Sequence, residues 1–134
     1  MNKSKKAFGS EGEALVRSYL IKNGYEHIAS NYTVKGGEID LIMMKDGVIS
    51  FIEVKTRTLE SAMKFGRGAS AVNENKRRRI AYCAGRYIFE NPSLCENVQF
   101  RFDIAELYRD KSGKLFFRHF ENAFFAQPDN SKLI

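Results

Sequence analysis

The sequence predicts an α/β domain, a mixed β-sheet flanked by helices, in the order α-β-β-β-α-β-β. Three observations carry that prediction. Gly36 to Lys55, GGEIDLIMMKDGVISFIEVK, reads as two apolar strands around an Asp46-Gly47 turn. Two stretches, about Glu11 to Asn23 and about Glu74 to Glu90, carry apolar residues at helical spacing. Val98 to Tyr108 alternates around Phe100, Phe102 and Ile104, with Gln99, Arg101 and Asp103 opposite. Helices set between groups of strands are the pattern of a sheet with covered faces.

At 134 residues the chain holds one domain with a core of its own, spanning 1–134, and is too short for two. Its 43% hydrophobic and 13% aromatic content sets it apart from disordered chains, which cannot bury enough apolar surface to fold. A formal net charge of +6 and a pI of about 9.4 favour a polyanionic partner, nucleic acid before acidic protein, although solubility alone would also account for them. Cys83 and Cys95 form no CxxC and share no metal-ligand spacing with His27 or His119, so a reducing cytoplasm is the expected compartment. No apolar signal-peptide core follows the basic start, and no apolar run is long enough to span a membrane. Residues 1–7 are expected to form a mobile basic arm, and 127–134 a frayed tail.

In chain order, the first element expected is a helix from about Glu11 to Asn23. Ser10 with Glu13 matches a capping box, and Asn23-Gly24 supplies the stop. Val16, Tyr19 and Leu20 form its apolar face, and Glu13 lies on the same side. Glu13 is therefore either a capping residue or a carboxylate delivered to the sheet. Tyr25 to Val34 reads as an edge strand ending at Lys35-Gly36-Gly37. The hairpin of Ile39–Met44 and Val48–Val54 follows, then a long connection, Thr56 to Val72, with Arg57, Lys64, Gly66, Arg67 and Gly68. Such a segment suits a loop closing over phosphates or a plain surface loop. The second helix has Asn73 as its cap and Ile80, Ala84, Tyr87 and Ile88 as its buried stripe. Lys76 shares that stripe and points toward the sheet, while Arg77, Arg78 and Arg79 splay to other faces. Four cations at a helix N-terminus oppose the helix dipole, a conflict that bound phosphate would relieve, although a solvated face is the ordinary explanation. Lys111 to Lys114 is a turn, Leu115 to Phe120 the last strand, and Asn122 to Phe125 a closing turn.

The hairpin contains a contradiction. With Asp46 and Gly47 as its loop, Lys45 lies opposite Val48, Asp40 opposite Glu53, and Glu38 opposite Lys55. Three carboxylates and one ammonium then share a patch within strands that are otherwise apolar on both faces. Like charges directly opposite destabilise a sheet, and buried carboxylates need partners. Either a divalent cation resolves the conflict, or the acidic end sits solvated at the rim with Lys55 as an ion-pair partner.

No glycine-rich phosphate loop, GxSxG or HExxH occurs, and neither histidine is placed to activate a serine or cysteine. Asp40 followed by Glu53-Val54-Lys55 resembles the D…(D/E)xK signature of the restriction-endonuclease-like nucleases. Gly12-Glu13-Ala14, Gly37 to Ile42, Phe51 to Lys55, Lys76, Arg101-Phe102-Asp103 and Asn122-Ala123-Phe124 together resemble the YraN-type family of small predicted endonucleases. The likeness runs over about residues 8 to 125. It implies a restriction-endonuclease-like fold, similar to Holliday-junction resolvases. It also implies Asp40 and Glu53 as ligands of Mg2+ or Mn2+, Lys55 as catalytic lysine and Glu13 as the helical acid, with the Val54 carbonyl a further metal ligand. Arg57, Arg67, Lys76, Arg77 and Arg78 are the candidate nucleic-acid contacts, with DNA the expected partner. A cutter of junctions would need two symmetric sites, hence a homodimer. The alternative is a non-catalytic nucleic-acid-binding module of the same fold.

Overall fold

The computed structural model describes residues 2–61 and 72–124, with side chains from Phe8 onward. Helix α1 (Asn2–Lys22) precedes strands β1 (Glu26–Val34), β2 (Gly37–Lys45) and β3 (Val48–Thr58). Helix α2 (Glu74–Glu90) then leads to β4 (Gln99–Arg109) and β5 (Leu115–Phe120). The five strands form one sheet in the order β1-β2-β3-β4-β5. All neighbours are antiparallel except β3 and β4, which run parallel, so the connection that crosses between them carries α2. The mixed sheet and the order of elements are those predicted.

Alternation along the central strands explains the two covered faces. Ile49, Phe51, Phe102 and Ile104 pack with Ile80, Cys83, Ala84 and Tyr87 of α2. Leu41, Met43, Ile52, Ala105 and Leu107 pack with Phe8, Val16 and Leu20 of α1. A strand buried on both faces reads as a continuous apolar run, as the hairpin does.

The hairpin has the expected register from Lys45↔Val48 to Leu41↔Ile52. Asp46 and Gly47 both take positive φ, 50° and 76°, as a type I′ turn requires. The paired ladder does not continue to Asp40 and Glu53. Asp40 instead turns its carboxylate to accept from the Val54 N–H at 2.8 Å, and Glu38 pairs with Thr33 of β1. Repulsion between opposed carboxylates is the physical reason for the early parting. Beyond it, β3 runs to Thr58 rather than ending at Val54, because β4 pairs with it along the whole length from Val48↔Gln99 to Thr58↔Arg109.

Helix α1 begins at Asn2, not near Glu11, so residues 2–7 belong to a helix and Ser10-Glu13 is no capping box. Phe8 is buried against the sheet, one turn before Gly12, and Gly12 lies where a Cβ would collide with Thr56 Cγ2. Gly12 therefore permits close helix–strand approach. Phe8, Gly12, Val16 and Leu20 make the buried stripe, whereas Tyr19 is 47% exposed and rests against the Phe117 ring. The stop is as expected. Gly24 takes φ 93°, Tyr25 N–H donates to Leu20 O at 3.0 Å and Gly24 N–H to Ile21 O at 3.1 Å, a Schellman ending.

Helix α2 has the predicted bounds and cap, the Asn73 side chain accepting from Lys76 N–H at 2.9 Å. Its buried stripe is Ile80, Ala84 and Tyr87, widened by Ala81, Cys83 and Gly85, with Ile88 half-buried. On β4, Asp103 is fully buried and fully partnered. Arg101 grips it with two bonds of 2.8 and 2.9 Å, His119 Nε2 lies 2.9 Å away, and Asn122 N–H donates at 2.9 Å. Burial would raise its pKa, but these partners hold the carboxyl below the ordinary range. The cluster fastens the closing turn, where Ala123 N–H reaches Phe102 O and Phe124 packs on Phe102. The expected tail, 127–134, and part of the long connection, including Lys64 and Arg67, lie outside the described residues.

Candidate active site

Where β2 and β3 part, the open end of the sheet collects charge from four elements. Glu53 follows Phe51 on the α2 face of β3 and is nearly buried; Lys55 follows it on the same face. From the first turn of α2, Lys76 Nζ meets Glu53 Oε1 at 2.5 Å. Asp40 reaches the Val54 N–H from β2. Glu13 comes from α1, close enough for Glu38 and Glu53 to act on its charge.

Asn31 links two of these acids. It lies in β1 between the Ser30↔Leu41 and Tyr32↔Ile39 pairs and takes φ 51°, a left-handed conformation that asparagine tolerates better than most side chains. With its amide nitrogen turned toward them, Asn31 donates to Glu38 Oε1 at 2.9 Å and Glu13 Oε2 at 3.1 Å. A cavity of about 490 Å³ opens here, lined by Glu38, Asp40, Glu53, Lys76, Arg79 and the Gly36-Gly37 turn among others. Gly37 approaches α2 so closely that a Cβ would press on Arg79 O and Cys83 Sγ.

The electrostatics follow from crowding. Burial, then Glu53, pushes the Asp40 pKa from 3.8 to about 7, with Glu13 and Glu38 adding to the rise and the Val54 N–H opposing it. Burial also raises Glu13, against the bond from Asn31 and together with Glu38 and Glu53. Lys55 is lowered, first by burial, then by the cations of Lys76 and Arg57, while Glu53 and Glu106 pull the other way.

The structure thus brings Glu13, Asp40, Glu53 and Lys55 to one place, with Lys76 on the cavity wall. Val54 takes part through its N–H, and Arg57 is near enough to act on Lys55. Arg77 and Arg78 are exposed and engaged elsewhere. Arg77 Nε donates to Val72 O at 2.9 Å, and Arg78 pairs with Glu74 at 2.8 Å. Arg79, expected on another face, lines the cavity instead. The turn of α2 at its capped end brings both Lys76 and the residue three positions on to the same side.

Sequence reasoning did not single out Asn31 or Glu106. Asn31 depends on a backbone conformation that no local pattern announces. Glu106 pairs with Lys55 in the parallel ladder, is buried, and leaves Oε2 without a hydrogen-bond partner among the described residues. A carboxylate in an otherwise apolar central strand, IAELY, was the available signal.

The model of the uncharacterised protein family UPF0102 matches residues 12–107. The chain belongs to the UPF0102 family. This is the YraN-type family that its sequence motifs resemble. A UPF0102 protein of Alkaliphilus metalliredigens is 40% identical over 119 residues, covering 89% of this chain and 98% of the relative. One of Chloroherpeton thalassium is 36% identical over 122 residues, covering 90% and 91%. Glu13, Asn31, Asp40, Glu53, Lys55 and Lys76 all fall inside the UPF0102 match, whereas His119 and Glu121 beside the Asp103 cluster lie beyond it. No helix among the described residues is long and apolar enough to cross a membrane.

The donor set fits a hard divalent cation in kind. It offers carboxylate oxygens, and an aspartate raised to about 7 is a group short of positive charge. The present side-chain positions are not those of a loaded site. Asp40 is turned to Val54 and Glu53 to Lys76, and among the described residues no three His, Cys, Asp or Glu side chains are gathered to hold an ion.

Proposed function

We propose that this UPF0102 protein is a metal-dependent endonuclease, hydrolysing phosphodiester bonds of DNA, branched or structured DNA included, with Mg2+ or Mn2+. The observation that carries the reading is the convergence of Asp40, Glu53 and Lys55, with Glu13, at the open end of the β2–β3 hairpin. A module that only binds nucleic acid has no use for crowded acids beside phosphate. A divalent cation held by Asp40, Glu53 and the Val54 carbonyl would acidify bound water and neutralise a phosphoryl oxygen. Lys55, lowered by burial, is suited to orient the nucleophilic water or to meet the charge that develops on the phosphate. Glu13, held by Asn31, would serve as the acid that accepts a proton from that water. The net charge of +6, with Arg57, Arg67, Lys76, Arg77 and Arg78, supports a nucleic-acid partner. We further propose a cytoplasmic protein that acts on junctions as a homodimer.

The test is a cleavage screen of single-stranded, duplex, flap and four-way-junction DNA with Mg2+ or Mn2+. Cutting of at least one substrate is expected, and Asp40→Asn or Glu53→Gln should abolish it. Cutting that survives both substitutions would refute the assignment. Binding without cutting on every substrate would favour the non-catalytic module, a reading supported by the fact that Glu53 already has Lys76 as its counter-charge.

A further inference from the structure

The Lys76–Glu53 pair is unequal. Glu53 keeps 8% of its side-chain exposure and Lys76 keeps 41%, so one partner is fixed in the sheet and the other sits at the cavity wall with room to leave. Lysine carries its charge on a four-carbon stem with free rotation, which lets the ammonium move without moving the helix. One feature disfavours a cation where Lys76 stands: it lies in the first turn of α2, at the positive end of the helix dipole. What holds it there is the crowd of Glu53, Asp40 and Glu38 around the same cavity.

We infer that Lys76 is the resident counter-ion of the site: its ammonium and a divalent cation compete for Glu53, and Lys76 swings free toward substrate phosphate once Glu53 is taken. This inference rests on the metal-dependent reading and deepens it. An ammonium brings one charge to Glu53 and a divalent ion brings two, so the metal competes for the carboxylate that Lys76 now holds through Oε1. The exchange couples the two ligands of the site. Lys76 guards the acids against their own repulsion in the absence of metal. When released it becomes a phosphate contact at a helix N-terminus already suited to anions. A plain ion pair docking α2 onto the sheet would stabilise the fold with no effect on metal affinity.

Isothermal titration of DNA-free, full-length protein with MnCl2 at pH 8 separates the two. Lys76→Met should bind Mn2+ about fivefold more tightly than the wild type, the scale of removing one competing, partly exposed counter-charge. Lys76→Arg, which keeps the counter-charge, should stay near wild type. Arg79→Gln removes a cation from the same cavity that has no ion pair to Glu53 among the described residues, and its effect should be much smaller. Lysine acetylation footprinting of the wild type gives a readout free of substitutions: labelling of Lys76 should rise with saturating Mn2+. Equal or weaker affinity in Lys76→Met, or labelling that metal leaves unchanged, overturns the inference while the nuclease reading stands. Mn2+ binding to neither protein overturns both. If Lys76→Met does not fold, Lys76→Gln carries the same comparison.

Discussion

Asp40 gives the most quantitative handle on the site. Its pKa in the fold is about 7 against 3.8 for an ordinary aspartate, so the folded chain binds a proton there that the unfolded chain has released. Between those two values stability must fall as pH rises; below 3.8 the penalty is absent, and above about 7 it is present in full. The span is about three pH units at about 1.4 kcal/mol each, so the ceiling on the penalty is about 4 kcal/mol. Asp40→Asn removes the charge and keeps a carbonyl oxygen to accept from the Val54 N–H. In EDTA at pH 8 this variant should therefore be more stable than wild type by up to about 4 kcal/mol, a rise in Tm of up to roughly 12–20 °C. At pH 4 the two should nearly coincide, within the range over which both chains remain folded. Urea unfolding of both proteins across pH 4–8 measures the difference directly. Adding Mn2+ at pH 8 should stabilise the wild type by mass action and the variant far less. A gap that does not widen with pH, or a variant less stable than wild type at pH 8, would refute the placement of Asp40 in a crowd of acids.

Glu13→Gln should lower metal-dependent cleavage well beyond tenfold with Tm unchanged or slightly raised, since burial disfavours the charge it removes; retained activity would end the proton-transfer role. Arg77→Ala with Arg78→Ala should weaken DNA binding without sequence preference and flatten the salt slope by about 0.9 for each duplex phosphate no longer neutralised. An unchanged slope in filter-binding titrations would leave those arginines to Val72 and Glu74. Gly12→Ala should destabilise by about 1–3 kcal/mol through the collision with Thr56, and Thr56→Ser in the same chain should recover part of it. A Gly12→Ala chain that gains about 1 kcal/mol in urea, as on an open helix face, would refute the close approach.

The parts of this protein that were legible in the sequence are those fixed by local chemistry. Asp46-Gly47 determines a turn of two positive φ angles, and that turn sets which residues of β2 and β3 oppose each other down to Leu41 and Ile52. Asn73 and Gly24 delimit their helices by bonds within a few residues. What was not legible depends on partners far along the chain. Ser10 with Glu13 read as the start of a helix, yet α1 runs through them because Phe8, Val16 and Leu20 pack on the sheet and Gly12 lets the backbone come close. Thr56 to Thr58 carries no apolar alternation, and β4 alone draws it into the sheet. The charged end of the hairpin was visible as a conflict. Its outcome, Asp40 turned to Val54 and Glu53 to Lys76, required the geometry of the elements around it.

The true start of α1 changes what Glu13 can be. As the third residue of a helix its carboxylate would have had a local task, accepting from the N–H of a capping serine. Well inside a helix that starts at Asn2 no such N–H is free, because each is taken by the carbonyl one turn earlier. Glu13 has instead a neighbourhood that penalises its charge: partial burial, Glu38 and Glu53. Among the described residues the Asn31 amide favours it, and Asn31 makes that bond from a left-handed backbone conformation. A carboxylate without a local function, set against two others and oriented by an asparagine in a left-handed conformation, is hard to explain by folding alone. Stability would be better served by glutamine at residue 13. The arrangement makes sense when positive charge, from a metal or from a proton leaving water, arrives at that end of the sheet.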